Sequence, residues 1–79
     1  IMKYKLVSNN RVAEVSNKYL ENIMQIEGIL HSCVLKKSIP VEERKSFIEA
    51  LEKQLQVKLE VKDDYTMFYS PLPLKVIII

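Results

Sequence analysis

The chain has 79 residues, 48% of them apolar and 28% charged, with a net charge of +2; this is one domain's worth of chain, near the size at which only ~60% of the unfolded surface is buried. Its apolar content excludes disorder as the default, and its single glycine excludes the glycine-rich loops that cradle phosphates. The lone Cys33 excludes an internal disulfide, and no run approaches the roughly 18 apolar residues of a membrane-spanning helix.

The lone cysteine and the lack of a visible signal peptide point to a reducing, cytoplasmic setting. The start at Ile1, without an initiator methionine, reads as a fragment with a segment missing upstream, so that residues 1–79 form a single domain.

Lys3 to Ser8 reads as a first strand, with Met2, Tyr4 and Leu6 on one face. Ser8, Asn9 and Asn10 are three candidate helix caps in succession. From Arg11 onward Val12, Val15, Tyr19, Ile23 and Ile26 recur every three to four residues, joined by Leu20 and Met24, which predicts an amphipathic helix. Glu14 and Lys18 would pair on it at i,i+4, and Gly28 would cap its end. Ile29 to Lys36 is apolar on both faces, as a central strand would be. Pro40 suits the first turn of a second helix. Glu42 and Glu43 sit where its dipole favours acids, and Phe47, Ile48, Leu51 and Leu55 form its apolar stripe. Val57 to Lys62 alternates as a half-buried strand does, Asp63-Asp64 is a turn, and Tyr65 to Ser70 returns. Pro71 to Pro73 is a bend or an edge, and Leu74 to Ile79 closes the domain. The expected fold is an α+β two-layer sandwich: strand-helix-strand-helix followed by two or three strands. Its sheet would be mixed, with right-handed crossovers.

Little here is equipped for chemistry. His31 and Cys33, two apart on a strand, would share a face, but the chain holds no second Cys or His to complete a zinc site. Glu42-Glu43 opens a helix and Asp63-Asp64 makes a turn, so neither pair is arranged for acid–base work. The expectation is a non-enzymatic module with no catalytic residues, cofactor or metal. Arg11, Lys36 and Lys37 fall at strand-to-helix junctions and would make a small basic patch. Phe68 and Tyr69 lie on opposite faces of their strand, one for the core and one for contact. Val76, Ile77, Ile78 and Ile79 form an apolar edge that needs covering, which predicts a homodimer or polymer.

The run Met67-Phe68-Tyr69-Ser70-Pro71, followed by Leu74-Lys75-Val76-Ile77, resembles the closing segment of the SepF cell-division family core domain. Ile26-Glu27-Gly28-Ile29-Leu30 and Pro40-Val41-Glu42-Glu43 sit where such a core would have them. The resemblance implies a dimerising adaptor at the division site that binds the C-terminal tail of FtsZ through Met67, Phe68 and Tyr69. It also implies tethering to the membrane through a missing N-terminal amphipathic segment. The order of elements is similar as well to the Alba-type nucleic-acid-binding fold. In that alternative Asn10-Arg11 and Lys36-Lys37 would hold phosphates.

Overall fold

The structure, a computed structural model, describes residues 3–79. It has six strands and one helix: β1 (Lys3–Ser8), β2 (Arg11–Ser16), β3 (Leu20–Ile26), β4 (Ile29–Leu35), α1 (Val41–Leu55), β5 (Glu60–Lys62) and β6 (Met67–Ile78). All strands join one sheet in the order β2-β1-β6-β4-β3, with β5 also paired to β6, and every pairing is antiparallel.

The expected sandwich is therefore not what the chain forms. Where a helix over 11–26 was expected there are two strands, and with it go the crossovers and the mixed sheet. Two tight turns decide this. Asn9 and Asn10 both adopt left-handed backbone, with φ of 50° and 65°, and they join paired residues Ser8 and Arg11. Glu27 and Gly28, at 54° and 78°, do the same between Ile26 and Ile29. Two successive left-handed residues make the hairpin turn whose twist matches that of the strands it joins. The asparagines are turn residues here, not caps, and Gly28 serves a hairpin. Lys18 pairs with Glu43 of α1, at 4.0 Å, and not with Glu14. The predicted face position of Met2 lies outside the described residues.

Strand β6 absorbs two predicted strands and the proline segment between them. It is also where the sheet bends. Ser16 pairs with Lys3, whose carbonyl receives the Ile79 N–H, while Leu20 pairs with Leu35, which bonds to Thr66 just before β6. The linker Asn17–Tyr19 joins these points but spans at most about 14 Å. In a flat sheet they would lie ~19 Å apart across the strands, and at opposite ends of β6 besides. The sheet must coil. As β4 advances from Leu30 to Ser32, β6 runs from Leu74 back to Tyr69, so Ser70-Pro71-Leu72-Pro73 bulges out of the ladder. Two residues there lack an N–H to pair, which suits such a place. Glu21 in β3 and His31 in β4 are single-residue bulges that sharpen the twist further.

The concave side closes around the core: Leu6, Ala13, Val15, Leu30, Cys33, Leu35, Phe68 and Leu74 meet Ile48, Leu51 and Leu55 of α1. Tyr19 stacks on Phe47 with ring centroids 4.6 Å apart. The helix opens with Glu42 and Glu43 in its first turn and ends on left-handed Gln56. The Glu52 carboxylate then accepts the Leu59 N–H at 2.8 Å and fixes the exit toward β5. Among the described residues, α1 covers one face of the sheet and no element packs on the other.

Candidate interaction face

Side chains alternate across a strand, so the residues between the core positions line the opposite, convex face. Register places Val12, Val7, Lys75, Ile29 and Ile26 side by side across five strands. Val12 is 50% exposed and Ile26 67%. Next to this row stand Glu14, Lys5 and Ile77. Beyond the bend a second row runs Glu60, Tyr69, Ser32, Met24, and a third runs Lys62, Met67, Val34, Asn22. Scattered exposed apolar residues are ordinary; a contiguous set on one face marks a contact surface.

Tyr69 occupies the middle of the part beyond the bend. On one side a groove of about 430 Å³ is lined by Lys58, Leu59, Glu60, Tyr69, Ser70 and Pro71. It lies where β6 has left β5 and has not yet met β1. On the other side, past Ser32, a groove of about 400 Å³ is lined by Ile23, Met24, Gln25, Ile26, His31 and Ser32. The Lys62 ammonium stands 5.7 Å from the centre of the Tyr69 ring, a distance at which the ring face attracts a cation.

The three residues expected to bind a partner divide. Phe68 is fully buried opposite Cys33, whereas Met67 is half-buried and Tyr69 faces out, 38% exposed. The closing run divides as well. Val76 packs toward the core, while Ile77, Ile78 and Ile79 are all exposed, Ile78 at the rim of a third cleft with Tyr4 and β3. β6 lies inside the sheet order, paired with β1 throughout this run. Arg11 closes the β1–β2 turn, while Lys36 and Lys37 follow β4, where Lys36 bonds to Tyr19. The strand-to-helix junction expected at Arg11 is a hairpin, so the structure does not gather these three at equivalent places.

His31 and Cys33 do not share a face. The bulge at His31 shifts the alternation by one, leaving His31 exposed and Cys33 1% exposed in the core. Burial pushes the Cys33 thiol from 9.0 up to about 12, so it stays protonated and inert at neutral pH. Among the described residues no group of three His, Cys, Asp or Glu side chains converges as a metal site would, and no helix is long and apolar enough to cross a membrane.

The sequence pattern does not mark Val7, Val12, Met24 and Ile26 as surface residues, because the last three also fit a helix stripe. The signal was there in Asn9-Asn10 and in Gly28, each of which marks a hairpin as readily as a helix end. No family model, curated protein or solved structure matches this chain.

Proposed function

We propose that this domain is a non-enzymatic protein-interaction module that binds an extended segment of another polypeptide across Tyr69. The observation that carries the reading is the placement of a half-exposed aromatic between two grooves on an uncovered sheet face. Aromatic side chains give much contact area for little lost freedom and often dominate interface energies. Lys58 and Lys62 flank the ring's side of the face, with Glu60 between them paired to Lys62, which leaves Lys58 as the cation open to an acidic neighbour in an otherwise apolar segment. The strand-helix-strand-helix order behind the SepF and Alba resemblances is absent, so the partner is specified by its chemistry alone, and the FtsZ tail serves as one probe peptide among others.

The test is a titration of labelled apolar-acidic peptides, the FtsZ tail included, against wild type and Tyr69→Ala, with duplex DNA at two salt concentrations in parallel. Peptide binding lost in Tyr69→Ala at unchanged melting temperature supports the reading. Silence toward every peptide, together with DNA binding that weakens steeply with salt, overturns it.

A further inference from the structure

We infer that the other half of the convex face, on β1, β2 and the end of β6, docks a second copy of this chain, sheet against sheet. This goes beyond the Tyr69 reading and uses different residues. The patch consists of Val7 and Val12 in one row, Lys5 and Glu14 in the next, and Ile77 alongside. Val12 and Ile77 are 50% and 41% exposed.

Its charges say what covers it. Lys5 and Glu14 oppose each other across β1 and β2, yet the ion pairs among the described residues are Lys18–Glu43 and Lys62–Glu60, so this couple is open to an outside partner. A two-fold axis running along the strands between β1 and β2 exchanges the two rows' members. It sets Val12 of one copy over Val7 of the other, and Glu14 over Lys5, each contact made twice. A patch that becomes its own complement under a two-fold rotation fits an isologous dimer, whereas a face of one sign would call for a different molecule. Aligned sheets pack ~10 Å apart and interdigitate such side chains. A stable interface takes roughly 800 Å² from each partner, about a sixth of the 5169 Å² surface, so the contact extends past the patch to its rim, Lys75 and Ile79 included.

Light scattering across a concentration series, from micromolar to several hundred micromolar, tests the inference on four proteins: wild type, Lys5→Glu, Glu14→Lys, and the double swap. The expected wild type is a dimer, twice the 9.2 kDa of the chain. Each single swap places like charges together in the interface and weakens dimerisation at least tenfold, while the double swap restores it. Circular dichroism confirms that each variant is folded. A wild type that stays monomeric over the whole range overturns the inference, and so does a dimer indifferent to both single swaps. Peptide binding at Tyr69 is scored separately, so either reading can fail without the other.

Discussion

The Arg44 guanidinium donates to the Thr66 hydroxyl at 2.8 Å and to the Ile39 carbonyl at 3.0 Å. It thereby holds three pieces together from inside α1: the loop before the helix, the helix, and the turn before β6, where Thr66 also bonds to the Asp63 carbonyl. Arg44 is 7% exposed, and its planar fork suits two acceptors in a way that an ammonium does not. Arg44→Met keeps the buried stem but leaves the acceptors unpaired. It is expected to lower stability by about 1–3 kcal/mol, read from urea unfolding, and Arg44→Lys is expected to recover only part of the loss.

Neighbours in sequence, Phe68 and Tyr69 should respond oppositely to truncation. Phe68 is completely buried, and removing a buried phenyl ring costs about 3–5 kcal/mol, enough to leave a domain of this size largely unfolded. Tyr69→Ala, on the open face, should cost less than about 1 kcal/mol. Thermal melts of the two variants side by side check this.

Cys33 gives the chain a particular alkaline response. Below pH 9.0 the thiol is protonated in both states and contributes nothing. Between 9.0 and about 12 the unfolded thiol ionises while the buried one does not, so the folded state binds more protons and stability falls as pH rises. The slope from this group approaches about 1.4 kcal/mol per pH unit. Stability of wild type minus that of Cys33→Val, measured from pH 8 to 11, should decline accordingly. A thiol reagent at pH 8 should modify Cys33 only once denaturant is added.

Glu27 holds a left-handed backbone, φ 54°, at the first position of the β3–β4 turn. Side chains other than Gly, Asn and Asp are strained there. Glu27→Asn would create the Asn-Gly pair that this turn prefers, and is expected to stabilise the fold by about 0.5–1 kcal/mol. Asn9→Val, at φ 50° in the other hairpin, is expected to destabilise by about 1–2 kcal/mol. Urea midpoints of both variants decide the signs.

Chain segments whose apolar pattern is tied to one period could be read directly. The first strand and the stripe Ile48-Leu51-Leu55 are found as the sequence predicts, and the central strand expected over Ile29 to Lys36 is found over Ile29–Leu35. Residues 11–26 misled because two short strands and a three-residue link happen to space Val12, Val15, Tyr19, Ile23 and Ile26 like a helix. Within β2 the buried residues, Ala13 and Val15, alternate as a strand requires, but Ala13 is too small to advertise it. The site suffered in turn: a bulge such as His31 leaves no local mark in composition, and it decides which residues face out. That Phe68 and Tyr69 face opposite ways was legible, because alternation along a strand needs no knowledge of the neighbours; that Tyr69 is the outward one was not.

The ladder between β1 and β6 pairs Tyr4 with Ile78 and Leu6 with Val76, contacts between nearly opposite ends of the chain. Forming it requires closing the chain between residues 7 and 75 into a loop before any of its bonds are gained. A ribosome making this protein would therefore release the β3–β4 hairpin and α1 well before β1 could find its inner neighbour. Until residues 75–78 emerge, the β1–β2 hairpin has no strand on its inner edge, and this half of the sheet is the last to acquire its native neighbours.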